Sequence, residues 1–183
     1  MVIGALLTAL VFILQFMGAS IRFGTFSISL VLIPIAIGAI TCGKGIGTWL
    51  GFIFGMAVFA SGDASLFWAV NVPGTIITVL VKGMAAGFVA GLVYELLVKL
   101  FGKKMTYVAA IAAALICPVV NTGVFLLGCL VFFMETVTAW AGGSNVGSFM
   151  IFGLVGINFI FEMAVNIIFA PAITHIIKVV SKE

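Results

Sequence analysis

The sequence predicts an all-α integral membrane protein, a six-transmembrane-helix bundle with short helices two and three and long helices four to six. Three observations carry that expectation. Of the 183 residues, 64% are apolar and only 7% charged, with a mean hydropathy of +1.44, whereas a soluble domain has roughly 45–50% and about 25%. Apolar runs fill the chain from end to end, so no polar stretch is long enough to form a separate domain, and residues 1–183 read as one membrane-embedded domain. The charges that exist lie mostly between the runs, which is where a bilayer allows them.

Gly, Pro and polar breakers separate the chain into segments 2–18, 28–42, 46–60, 72–98, 105–134 and 147–178. The first has no basic stretch before it, and Arg22 follows it, the reverse of a cleavable signal peptide, so it is expected to stay as a helix. At 1.5 Å per residue the second and third reach roughly 22 Å each, short of a hydrocarbon core of about 30 Å. They are therefore either short buried helices or one re-entrant pair. The last three are about 27–32 residues, long enough to span with tilt.

Charge sets the orientation. With the N- and C-termini cytoplasmic, the inner connections hold Lys44, Lys99, Lys103, Lys104, Lys178 and Lys182, and the outer ones hold Arg22 with Asp63 and Glu135. Trp68 and Trp140 fall in outer connections, either as headgroup anchors or as part of a cover over a cavity. The net charge of +3 is too weak and scattered for nucleic acid.

Small residues recur at four-residue spacing in Gly47, Gly51, Gly55 and again in Gly83, Gly87, Gly91. Each set makes a groove for a closely packed helix, here expected within the molecule. Ala5 and Ala9, with Gly4 and Thr8 beside them, form a similar small face on the first helix, which either packs internally or meets a partner.

Several chemistries are excluded. Gly38 to Gly45 nearly matches a phosphate loop, but Gly45 replaces the required Ser or Thr and a membrane segment precedes it, so a tight turn is expected. Cys42, Cys117 and Cys129 form no CxxC pair, and His175 is the lone histidine, so neither metal, cofactor nor disulfide is expected. No nucleophile with a base and no paired acids appear, which leaves no catalytic residue to name.

The costly residues are Lys82 and Glu162. Lys82 lies nine residues past Pro73, about 14 Å along the helix, and Glu162 lies roughly 22 Å below Gly147. Thr75, Thr78 and Lys82 share a face, Asn158 and Asn166 flank Glu162 by one turn, and Asn121 follows Pro118 at a similar depth. A mid-membrane charge costs on the order of 2.5–3.5 kcal/mol and needs a partner or a watery cavity. Two readings stand side by side: a Lys82–Glu162 ion pair that braces helices four and six, or a small-molecule site between helices four, five and six, with Lys82, Asn121, Asn158, Glu162 and Thr78 in it and Asn71 near its entrance. The outer connections 61–71 and 135–146 are rich in Gly, Ser and Trp and could close over such a site.

This pattern resembles the substrate-binding S component of energy-coupling factor (ECF) vitamin transporters, across nearly the whole chain. The likeness rests on the length, the six segments, Ala5-x-x-x-Ala9, the runs Ile28 to Ala39 and Gly45 to Gly55, and Asn71-Val72-Pro73 followed by Lys82 and the Gly83, Gly87, Gly91 run. The fourth helix is most like pantothenate-type members, although Lys82 stands where an arginine would be expected. The resemblance implies a high-affinity binder of a small water-soluble vitamin in a bacterial plasma membrane. It would dock through Ala5 and Ala9 on a transmembrane coupling subunit driven by two cytoplasmic ATPase subunits, and topple in the membrane to deliver its ligand. Two other classes compete: a stand-alone ion-coupled secondary transporter using Lys82 and Glu162, against which no inverted repeat is evident, and a scaffold subunit in which the polar cluster is only a brace.

The orientation is checked by single cysteines in a cysteine-free background. Cysteines placed at Lys103 and Lys182 should resist an impermeant thiol reagent in intact cells while one at Ser65 reacts, and outside labelling at Lys103 would reverse the topology.

Overall fold

The computed structural model describes residues 2–19, 22–23, 26–27 and 30–180. Its helices are α1 (Val2–Ala19), α2 (Leu32–Thr41), α3 (Lys44–Ala60), α4 (Ser65–Trp68), α5 (Val72–Phe101), α6 (Thr106–Phe132), α7 (Met134–Ala141), α8 (Val146–Ser148) and α9 (Ile157–Val180). A π-helical stretch, Phe149–Gly156, joins α8 to α9. A two-residue antiparallel pair, Arg22–Phe23 against Phe26–Ser27, lies between α1 and α2. Lys182 lies outside the described residues, as do the side chains of Arg22, Lys103, His175 and Lys178.

Among the described residues, four helices are long and apolar enough to cross a membrane: α1, α5, α6 and the run Val146–Phe169. The two short ones, of 10 and 17 residues, owe their length to different causes. Pro34 sits in the first turn of α2, where its missing N–H costs nothing. Gly43, at φ +90°, then turns the chain directly into α3. That turn is where the phosphate-loop pattern fell, and Lys44 within it pairs with Glu95 at 2.8 Å. Both groups are 42% exposed, so the pair contributes at most about 1 kcal/mol and acts as a register pin between α3 and α5.

The core is built around α2. Leu32, Ile35, Ala36, Ala39 and Ile40 are buried against Leu7 and Val11 of α1, Leu50 and Phe54 of α3, Ala86 and Ala90 of α5, and the Ala110, Ala113, Ala114 and Cys117 face of α6. Alanine on both α5 and α6 lets these helices approach closely along much of their length.

The two glycine stripes meet each other. A Cβ on Gly47 would stand 2.6 Å from the carbonyl oxygen of Gly87, one on Gly91 would stand 2.5 Å from Cα of Lys44, and Gly51 and Gly83 lie backbone to backbone. Real Cβ atoms do not approach backbone this closely, so α3 and α5 pack at a distance only glycine permits. The expected intramolecular use of both stripes is what the structure has. The same is true of part of α1: Gly4 abuts Ile46, and Thr8 accepts a hydrogen bond from Trp49 Nε1 at 3.3 Å. Ala5 and Ala9, in contrast, are exposed.

Gly51→Val should force α3 and α5 apart and destabilise the protein by at least the roughly 1–3 kcal/mol typical of overpacking, because backbone and not a flexible side chain must yield. Gly45→Ala, with open space around its Cα, is the control. A melting temperature equal for the two variants would show that the contact is looser than described.

Candidate substrate-binding site

The site begins with the α3–α5 contact. Lys82 precedes Gly83, and Phe54 packs over Gly83, so the close approach carries the Phe54 ring to the Lys82 ammonium, 5.4 Å from Nζ to the ring centroid. From α6, Phe125 brings a second ring to 5.3 Å. A cation facing aromatic faces gains about 0.5–2 kcal/mol, more as it is desolvated. Lys82 itself is half-buried, because a cavity reaches it.

That cavity, about 80 Å³, is lined by Lys82, Asn121 and Thr122, Asn158 and Glu162, Asp63 and the rings of Phe54, Phe125 and Phe159. A neighbouring lobe of about 60 Å³ shares Asp63, Lys82 and Phe125 and adds Thr75, Thr78, Phe67 and Phe133. Lys82 thus stands on the wall common to both lobes. Glu162 and Asp63 both act electrostatically on its ammonium.

Of the residues expected in the site, Lys82, Asn121, Asn158 and Glu162 line the first lobe and Thr78 the second. Asn71 lines neither. Its Oδ1 accepts from the Gly74 N–H at 2.9 Å, which makes it the N-cap of α5 and leaves Pro73 in the first turn. Asn166 is buried and donates to the Glu162 carbonyl at 2.8 Å, bonding along its own helix.

Sequence reasoning missed Asp63, Phe54, Phe125, Phe159 and Gln15. Asp63 follows Gly62, whose φ of +73° turns the chain after α3, and Gln15 Nε2 of α1 donates to Asp63 Oδ2 and to Ser61 Oγ, each at 3.4 Å. Gln15 carried the one available signal. A glutamine in an apolar run must find a partner, and it is only 2% exposed.

Among the described residues, three buried side-chain atoms have no hydrogen-bond partner: Asn121 Oδ1 and Thr78 Oγ1 in the lobes, and Asn166 Oδ1 outside their lining. Over the end of the bundle that holds Asp63, α4 and α7 form a cover. Phe67 of α4 packs edge-on against Phe125 at 5.5 Å, Phe133 at 4.9 Å and Trp140 of α7 at 5.6 Å, and Trp68 packs on Phe59 at 5.4 Å. Trp68 and Trp140, in the connections 61–71 and 135–146, are thus tied into this cover. These connections read as loops in the sequence because their short helices are held by ring contacts to distant residues.

The chain matches the family model of the ECF transporter, substrate-specific component, over residues 1–177. No curated protein and no solved structure matches it.

An unpartnered buried hydroxyl costs roughly 1–3 kcal/mol, so Thr78→Val should raise the melting temperature of the ligand-free protein. A lower melting temperature would mean that the hydroxyl is satisfied within the fold and is not waiting for a ligand.

Proposed function

From the premise that this chain belongs to the family of ECF transporter substrate-specific components, we propose that the Lys82 cavity is where it holds a small water-soluble vitamin or related micronutrient. Members of this family are transporter subunits and not enzymes, and they work in a membrane complex with coupling and ATPase subunits. The observation that carries the reading is the convergence of Lys82 from α5, Asn121 from α6, and Asn158 and Glu162 from the last helical run on one cavity. Asn121 Oδ1, which has no partner among the described residues, is an acceptor open to a ligand there.

Lys82 supplies a positive point charge for a ligand carboxylate or other anionic group, without the planar two-point grip of an arginine. A pantothenate-like carboxylate is one ligand of that kind. Asn121, Asn158, Glu162 and Thr78 fix orientation by hydrogen bonding. The lobes are smaller than the roughly 150 Å³ cavity that admits a benzene-sized guest. A vitamin therefore enters by displacement of the α4–α7 aromatic cover, which lies on the outer side when the lysine-rich connections are cytoplasmic, as both termini then are. All of residues 1–183 serve this one substrate-binding domain, with α2 and α3 completing six membrane helices.

Docking on the coupling subunit uses Ala5 and Ala9. Their exposure next to a face of α1 that packs inward on Leu7, Val11 and Gln15 supports this assignment, since small residues let a partner helix come close. The self-sufficient transporter reading has no observation in its favour here.

One experiment separates binding from coupling. Lys82→Met removes the charge at nearly constant volume and should weaken substrate binding by roughly 1.5–3 kcal/mol with the complex intact. The double variant Ala5→Trp, Ala9→Trp should do the opposite, abolishing uptake and co-purification with the coupling subunit while substrate still binds. Normal binding by Lys82→Met with only an earlier melt would make the cavity a brace, and a complex that survives both tryptophans would move the docking face off α1.

A further inference from the structure

We propose that the molecule held in the Lys82 cavity carries an apolar arm as well as an acidic group, and that the arm lies in a lipid-facing groove between α6 and the π-helical run Phe149–Gly156. This rests on the reading of the cavity as the substrate site and narrows the substrate to an amphiphilic acid.

The groove, of about 360 Å³, is lined by Val119, Gly123 and Leu126 of α6 and by Ile151, Phe152 and Gly156 of the π-helical run. Its origin is local. The backbones of α6 and the π-helical run stand apart over most of their length, whereas α6 packs along α9. Gly123 and Gly156 put no side chain into the gap, and a Cβ on Gly123 would meet no atom within 4 Å. π-Helical turns are rare and recur at functional sites.

Three further side chains, Thr122, Val155 and Phe159, line the groove and the Lys82 cavity alike. They form a common wall. On its cavity side, Asn121 is 5% exposed and its Oδ1 has no partner among the described residues, an acceptor that suits the polar end of a ligand. On its groove side, no lining residue other than Thr122 carries a polar side chain. The wall therefore divides a polar compartment from an apolar one, and a ligand with one end of each kind satisfies both.

Depth agrees. Gly123 lies nine residues before Phe132 at the end of α6, as Lys82 lies nine residues past Pro73 on α5, in each case about 14 Å along the helix. Those two helix ends are level, since Phe132 packs against Gly74. The groove thus opens at the depth of the Lys82 ammonium, where a bilayer offers hydrocarbon. Size favours the arm of a substrate over the tail of a lipid. The cavity of about 80 Å³ holds a polar head and little more, and the groove supplies over four times that volume beside it. A lipid tail would fill the groove alone, whereas a substrate arm also accounts for the wall that groove and cavity have in common.

The test uses the full chain, purified from its own membrane into lipid nanodiscs. Molecules released on denaturation are identified by mass spectrometry, and the one bearing an acidic group is titrated back into stripped protein, Gly123→Leu and Lys82→Met. Leucine at position 123 fills the groove from a place that does not line the cavity. Each buried methylene is worth roughly fourfold in affinity, so a released acid with an apolar arm of several carbons should bind at least about tenfold more weakly to Gly123→Leu. Lys82→Met should weaken it too. A released acid without such an arm, or one that Gly123→Leu binds within about twofold of the unaltered protein, overturns the inference. The site reading then stands if Lys82→Met still weakens binding, and falls with it if not. A phospholipid carried by the unaltered protein and lost from Gly123→Leu, with the acid's affinity unchanged, makes the groove a lipid site and also overturns the inference. If Gly123→Leu fails to fold, Val119→Phe, at an exposed position on the same side of the groove, is read in the same way. If no acid is released, thermal stabilisation by lipoate, a carboxylate on an apolar arm, is compared with that by nicotinate, a carboxylate directly on a polar ring. Stabilisation by lipoate that Gly123→Leu removes supports the inference. Stabilisation by nicotinate alone, or by lipoate equally in both proteins, overturns it, and failure of both acids overturns the substrate site itself.

Discussion

The approach of α3 to α5 through glycine backbone is the contact on which the rest of the structure depends. Gly51 against Gly83 and Gly47 against Gly87 bring the two helices backbone to backbone at those positions. In a membrane this matters more than in water, because lipid tails solvate apolar side chains as well as protein does, and close packing is what remains to hold helices together. The same contact delivers function. It sets Phe54 of α3 over the Lys82 ammonium of α5, and it leaves room on the other side of α3 for α2 to be enclosed by α1, α3, α5 and α6.

Enclosing α2 sets the price of everything polar. A helix whose Leu32, Ile35, Ala36 and Ala39 are fully buried leaves no place for polar side chains around it, and Lys82, Asn121, Asn158 and Glu162 meet instead at the cavity between α5, α6 and α9. There Lys82, Glu162 and Asn121 would each cost energy alone. Together they are affordable only in part, because two acceptors in the lobes stay unbonded.

Much of this was legible in the residues. The all-helical class is what the structure has, the glycine stripes meet as spacing implied, and Asn158 and Glu162 reach one lobe together because i, i+4 spacing puts them on a common face, whereas Lys82 and Asn121 join them from other helices. What was not legible has specific causes. Asp63 sits in a polar turn after α3, where an acid reads as an ordinary solvated loop residue until Gly62 and Gln15 fold it back onto the cavity. Phe54 and Phe125 lie in apolar runs where a phenylalanine carries no periodic signal. Asn71 shows a second use that sequence reading passed over: a polar residue before Val72-Pro73 is a helix cap, and its Oδ1 serves there. The π-helical run Phe149–Gly156 has no breaker to announce it.

The two faces of α1 connect these parts. Outward, Ala5 and Ala9 lie open. Inward, Leu7 and Val11 pack on the core, and Gln15, six residues beyond Ala9 and so about 9 Å further along the helix, holds Ser61 and Asp63. An 18-residue helix is stiff over that distance. A partner that tilts or slides α1 must therefore either carry the turn 61–63 along or break both of Gln15's hydrogen bonds. Because Asp63 lines both lobes, either response changes how a carboxylate beside Lys82 is held.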